Sequence, residues 1–355
     1  MQCMQSILIV KTSAIGDVIQ TFPVLHYLRA RFPEAEIDWV AERSIVPLLK
    51  AHPLLSQVIP IDTRRWRKEP FSQETRLAFS QFKGQLRKKR YDVLFDLQGN
   101  AKSAVVTLCA NANTKVGYSW RSVREKCNLF ATNQRIYVPS DGNIRSKYLR
   151  LVQSYYGDEK PFEFHGVRLL LNEEEQKRLE ATSVHVPTLM VCFGSKWQNK
   201  QLDPTSWLQF LTRLSQERPI SFLFIYGDER EKAQAEEFAS HFPDRSQVVG
   251  ELSLPLWQAL MWKVEAVLAV DSAALHLCGT TATPSFSVFG PSLSTIYKPL
   301  EERHASFQGT CPYGLTFPQR CPKLRTCKTG ACIRSLNGDV LFDAFQNSSS
   351  KQRIE

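Results

Sequence analysis

The sequence predicts an α/β fold, with two Rossmann-like domains whose parallel sheets face a central cleft. Three observations predict it. The chain opens on ILIV (residues 7–10), an apolar and mostly β-branched run, followed by a polar loop and an amphipathic stretch. That is the strand–loop–helix start of a doubly wound sheet, where ligands collect beyond the carboxyl ends of the strands. Strand and helix patterns then alternate through both halves, and helices of this length between strands imply parallel pairing. Finally, 355 residues suit two domains of ordinary size. The connection at residues 157–171 contains Gly and Pro and marks the boundary. We expect an N-terminal domain over 1–165, a C-terminal domain over 166–335 and a tail over 336–355.

In order, residues 7–10 read as a strand and 17–31 as one amphipathic helix. Residues 37–41 form the next strand, 44–50 a short helix and 58–61 a short strand. Residues 64–70 (RRWRKEP) read as a polar loop carrying Trp66, and 72–90 as a long amphipathic helix. DVLFDL (92–97) is a buried strand, followed by the loop Gln98-Gly99-Asn100 and a helix through Cys109. A short strand at 115–118 and an irregular stretch to 139 precede a helix at 144–156. The second half reads as strands at 189–193, 221–226, 266–270 and 285–289. Helices are expected at 204–217, 229–241, 254–263 and 272–279.

Composition is that of a globular protein, 43% apolar and 23% charged. No apolar run approaches the roughly 18 residues of a membrane span, and the N-terminus lacks the basic and apolar regions of a signal peptide. A cytoplasmic location is therefore expected. The net charge of +10 is unevenly placed, because Arg64 to Arg90 carries ten Lys and Arg against Glu69 and Glu74. Such a surface wants an anionic partner, although residues 83–90 also read as an ordinary solvated helix face. No aromatics interleave there to stack bases, so nucleic acid is not expected.

Of the nine cysteines, five are scattered and expected to be buried as small hydrophobes. Cys311, Cys321, Cys327 and Cys332 cluster with nine, five and four residues between them, without the C-x-x-C knuckle of common zinc sites. They read as reduced thiols, with a structural metal as the weaker alternative.

Four loops carry candidate chemistry. Asp17 follows the first strand with Gly16 beside it; it reads either as a helix cap or as a general base at the sheet edge. The loop lacks GxxxxGK[ST], which disfavours simple ATP hydrolysis. A strand ends at Asp271, where small residues open a helix whose free N–H groups suit a diphosphate. His276 in that helix also reads as a packing residue. GSKWQNK (194–200) offers Lys196 and Lys200, surface lysines or phosphate partners. The acidic loop at 226–231 suits a helix start or a ribose hydroxyl. GxGxxG is absent, so a dinucleotide fold and a nucleotide-sugar epimerase are not supported.

KTSAIGD after the first strand, RRWRK, DLQGNAKS, GSKWQNK and DSAALH, in this order, resemble glycosyltransferase family 9 up to about Pro299. Within that family the resemblance is to the lipopolysaccharide heptosyltransferase I subgroup. It implies a GT-B fold and an inverting transfer of L-glycero-D-manno-heptose from ADP-heptose to Kdo of Kdo-lipid A. It implies Asp17 as catalytic base and Lys200 as the residue that stabilises the diphosphate leaving group. Ser195, Lys196, Glu231, Asp271, Ser272, Ala273 and His276 would contact the donor, with Glu231 at the ribose. Ala273 stands where the family motif has glycine, and Lys196 where it has threonine. Arg64, Arg65, Lys68 and Arg124 would hold the anionic acceptor, with Thr12, Ser13, Gly16, Gln98 and Lys102 from the adjoining loops. No cofactor is implied, and a monomer peripheral to the inner face of the cell membrane is expected. The alternatives are another family 9 transferase, heptosyltransferase II-like or using a different sugar nucleotide, and a non-enzymatic anionic-lipid-binding protein.

Overall fold

A computed structural model describes residues 5–184 and 187–352, the last four of these by backbone alone. Cys3, the first four residues of the N-terminus read above for a leader, and residues 353–355 of the expected tail lie outside the described residues. The chain divides into two compact units, Met1–Phe164 and His165–Glu355.

The N-terminal unit runs β1 (Ser6–Val10), α1 (Ile15–Ile19), α2 (Phe22–Arg31), β2 (Glu36–Glu42), α3 (Val46–Lys50) and β3 (Gln57–Ile61). It continues through α4 (Thr63–Lys68), α5 (Gln73–Arg87), β4 (Tyr91–Asp96), α6 (Ala101–Cys109), β5 (Ala112–Tyr118), β6 (Gln134–Ile136) and α7 (Ile144–Tyr155). Its sheet is parallel in the order β3-β2-β1-β4-β5-β6, with Ile7 opposite Ile37 on one side and Val93 on the other. Ile7 to Val10 are fully buried, which is why the opening run is continuous rather than alternating.

The C-terminal unit runs α8 (Glu173–Ala181), β7 (Thr188–Cys192), α9 (Pro204–Glu217), β8 (Ser221–Tyr226), α10 (Glu229–Ser240), β9 (Ser246–Gly250), α11 (Leu254–Met261) and β10 (Ala266–Val270). It ends with α12 (Ala273–Cys278), β11 (Ser285–Phe289), α13 (Ser294–Tyr297), β12 (His304–Gln308), α14 (Ala331–Arg334) and α15 (Gly338–Gln352). The sheet order β12-β11-β10-β7-β8-β9 repeats that of the first unit. Strand order reverses between β1 and β4 in one sheet and between β7 and β10 in the other. Those two switch points are where a doubly wound sheet binds ligands.

Several expectations are corrected. The helix at 17–31 is two helices, because the chain turns at Gln20–Thr21 and Pro23 opens the second. The 64–70 loop is largely α4, capped by Asp62, whose carboxylate accepts the Arg65 N–H at 3.2 Å. Trp66 anchors it with its ring 5.5 Å from those of Phe79 and Phe82. The stretch called irregular holds a 3-10 turn (Lys126–Ala131) and β6. Residues 338–352 are no loose tail. They form α15, which packs on α9 and places Leu341 and Phe342 in the core. Among the scattered cysteines Cys192 and Cys278 are buried, but Cys109 is only half-buried and Cys127 is exposed.

Candidate functional site

At the first switch point the loops after β1 and β4 are stitched together. Gln98 Oε1 accepts the backbone N–H groups of Thr12 and Ser13 at 3.1 and 3.2 Å. Buried Asp96 receives the N–H groups of Gln98 and Gly99 at 3.0 and 2.9 Å on one oxygen. Its other oxygen takes Thr107 Oγ1 and Asn128 Nδ2 at 3.1 and 2.6 Å. Gly99 sits at φ +66°, and a Cβ there would lie 3.1 Å from the Tyr118 ring.

Asp17 is not the N-cap. Ala14 holds that position and Asp17 is the third residue of α1, half-buried, with the Ala14 N–H 3.5 Å from Oδ2. At that length the contact is a weak one. Lys11, directly after β1, feels the Asp17 charge. Lys11 is 2% exposed and donates to Leu97 O at 3.1 Å and Tyr148 Oη at 2.7 Å. Burial lowers its pKa from 10.5 to about 8, against the charges of Asp17 and Asp96, which raise it. The β-strand run around Lys11 gave no hint of a buried ammonium.

The expected acceptor residues do not behave alike. Arg64 and Lys68 are exposed on α4. Arg65 is already ion-paired with Glu74, both side chains exposed. Lys102 lies 3.7 Å from Glu42, a nearly buried carboxylate that also receives the Thr63 N–H at 3.2 Å. Arg124 is exposed beside the Gly99 loop, close enough to Lys11 for its charge to lower the Lys11 pKa. Ser13 in the β1 loop and Gly16 in the first turn of α1 are half-buried, and Thr12 is buried.

At the second switch point two of the expected donor residues, Lys200 and His276, gather around Asp271. Lys200 Nζ and Ser292 Oγ both bind Asp271 Oδ2, and His276 Nε2 is 3.7 Å from Oδ1. Burial opposes ionisation of Asp271, but Lys200, His276 and Ser292 outweigh it and hold the carboxyl below the usual carboxylate range. Ser272 precedes α12 without capping it, and its Oγ is buried with no partner among the described residues. A buried hydroxyl left unpaired beside an uncapped helix start suits a polar ligand.

Glu231 lies over the Gly194 backbone, where a Cβ would come 2.1 Å from Oε1, and it accepts the Gly227 N–H at 2.8 Å. Burial raises its pKa, the direction expected of a carboxylate held in a pocket. Ser195 is half-buried and its carbonyl accepts Gln201 Nε2 at 2.7 Å, while Lys196 is exposed. Ala273 opens α12. Ser292, missed in the sequence, lies after β11 and carries no motif that marks it.

The late cysteines adjoin this site. Cys311, Cys321, Cys327 and Cys332 line one cavity together with Asn199. Among the described residues, no group of three or more His, Cys, Asp or Glu is placed to hold a metal ion. Cys327 Sγ accepts the Gly330 N–H at 3.4 Å, and that bond lowers its pKa, while burial pushes Cys332 up to about 11. Asn199 Nδ2 donates to Leu324 O and Cys327 O at 2.9 and 2.7 Å. The Cys321 N–H donates to Pro291 O at 2.7 Å. The cysteine segment thus braces both the turn that carries Lys200 and the loop that carries Ser292.

The model of glycosyltransferase family 9 (heptosyltransferase) matches residues 79–323. Lipopolysaccharide heptosyltransferase 1 of Pseudomonas aeruginosa is 28% identical over 286 residues, 81% of this chain and 79% of that protein. Lipopolysaccharide heptosyltransferase 2 of Salmonella typhimurium is 23% identical over 84% of this chain and 86% of its own. The structure of E. coli heptosyltransferase WaaC with ADP superposes with a TM-score of 0.80 at 22% identity, covering 97% of this chain and 100% of that one. The fold is therefore GT-B.

Proposed function

The chain belongs to glycosyltransferase family 9, and from that membership we propose that it transfers L-glycero-D-manno-heptose from ADP-heptose to Kdo of the lipopolysaccharide inner core, with inversion. Family membership sets aside the non-enzymatic alternative. Asp17 takes the proton of the acceptor hydroxyl as its oxygen attacks the anomeric carbon. The bond from that carbon to the diphosphate oxygen breaks, and ADP leaves with the electron pair. Lys200 and the start of α12 meet the charge that develops on the diphosphate, Glu231 holds the ribose, and Ser195, Lys196, Ser272, Ala273 and His276 line the donor. Thr12, Ser13, Gly16, Gln98 and Lys102 shape the acceptor pocket, and the Arg64, Arg65, Lys68 and Arg124 side chains pair with acceptor carboxylates and phosphates. The heptosyl group passes to the acceptor oxygen, the hydroxyl proton to Asp17 and the electron pair to ADP, and in this reading side chains handle each without a cofactor. The enzyme works as a monomer, peripheral to the inner face of the cell membrane.

The observation that carries this reading is the buried Asp271–Lys200 pair beside the Ser272 hydroxyl, which has no partner among the described residues. Further support comes from the named relatives, an ADP complex among them. Lys196 in the donor loop favours a second reading, a family 9 transferase with another sugar nucleotide. Both are tested by offering ADP-heptose and ADP-, UDP- and GDP-hexoses with Kdo-lipid A. Transfer from ADP-heptose alone supports the first; transfer only from another donor replaces it with the second.

A further inference from the structure

We infer that the face of the N-terminal unit formed by the end of α5 and by α6 docks on an anionic lipid bilayer. The inference rests on the reading of the acceptor as a lipid-linked sugar. Two stretches of this unit, residues 75–91 and 97–124, contain ten Lys and Arg and no Asp or Glu. The fold brings them side by side: Arg87 Nε donates to Cys109 O at 3.2 Å, and Arg90 binds Asn113 Oδ1 at 2.7 Å. Two members of this set are taken up by carboxylates, Lys89 by Glu36 and Asp38 and Lys102 by Glu42. Glu125, beyond the second stretch, is occupied by the Ala101 N–H.

Within this basic surround α6 turns apolar residues outward. Ala101, Val105 and Leu108 recur at i, i+4 and i+7, one helix face, and Val105 and Leu108 are 45% and 54% exposed. Arg87, Leu108 and Lys115 line one shallow depression. An apolar stripe flanked by cations is the pattern of a surface lying in a headgroup layer. Each Lys or Arg there gains from anionic lipid, and the aliphatic side chains enter the acyl boundary. Nucleic acid would satisfy the charges but leave Val105 and Leu108 without partners, and no aromatic side chain on the α6 stripe offers stacking. Among the described residues no helix is long and apolar enough to cross a membrane.

The test is cosedimentation of the full chain with vesicles of phosphatidylcholine alone and of phosphatidylcholine with one third phosphatidylglycerol. Two variants are compared with wild type, Lys83→Glu/Arg87→Glu and Val105→Ser/Leu108→Ser, each checked for an unchanged melting temperature. Transfer to a soluble, acyl-free Kdo acceptor is measured in parallel. We expect wild type to prefer the anionic vesicles and both variants to bind them at least about tenfold more weakly, with soluble transfer unchanged. Equal vesicle binding by wild type and both variants, or no preference for anionic lipid, overturns the inference. Loss of soluble transfer in wild type would instead strike the proposed acceptor and leave the vesicle result to stand by itself.

Discussion

Lys200 and Asp271 form a buried ion pair in which the ammonium binds Oδ2, while His276 stands 3.7 Å from Oδ1. The lysine therefore does not wait in solvent for a phosphate. Asp271 fixes where it points, and Ser292 fixes Asp271. On the proposed mechanism, charge preorganised in this way needs no rearrangement as the leaving group develops.

Lys200→Met should leave a buried carboxylate without its cation, costing about 3–5 kcal/mol of stability. It should also lower kcat by about 10²–10³-fold, the loss seen when one oxyanion donor is removed. The double variant Lys200→Met/Asp271→Asn should recover most of the stability and none of the rate. Urea unfolding and initial-rate kinetics on the same preparations separate the two effects.

Asn199 ties the turn carrying Lys200 to two carbonyls of the cysteine segment. Asn199→Asp keeps the shape but removes the donor, leaving those carbonyls unpaired at about 1–3 kcal/mol. We expect a lower melting temperature and a raised KM for the sugar nucleotide, with the KM for the acceptor unchanged. A rise in acceptor KM alone would place Asn199 outside the donor site.

The buried Lys11 makes stability depend on alkaline pH. Its folded pKa of about 8 lies below the ordinary 10.5. Between those values the unfolded chain binds more protons, so this group's contribution rises as pH climbs from about 8 to 10.5 and is least below 8. Lys11→Met should abolish that rise, on the order of 3 kcal/mol at 1.36 kcal/mol per tenfold change in proton concentration. Urea unfolding of both proteins from pH 7 to 10.5 checks it.

Much of the fold was legible because buried parallel strands announce themselves: residues 221–226, 266–270 and 285–289 match β8, β10 and β11. Helices with strong ends, such as α9 behind Asp203 and Pro204, were equally plain. Three edge strands were not recognised. β6, β9 and β12 are short or polar, and their pairing is decided by the neighbouring strand rather than by their own pattern. α8 was overlooked although Asn172 and Glu175 form a capping box, because no apolar stripe drew attention to it. In the site, the motif residues Asp271, Lys200 and His276 lie together in the fold. Ser292, Asn199 and Lys11 escaped notice because their roles depend on partners 21, 128 and 137 positions away in the chain.

Heptose transfer by Asp17→Asn, measured beside ADP binding on the same preparation, tests most directly whether Asp17 is the base. Asparagine keeps the size and removes the proton acceptor. We expect kcat to fall by about 10²–10⁴-fold while ADP affinity and melting temperature stay within experimental scatter of wild type. A variant that transfers heptose at the wild-type rate would contradict the assignment of Asp17.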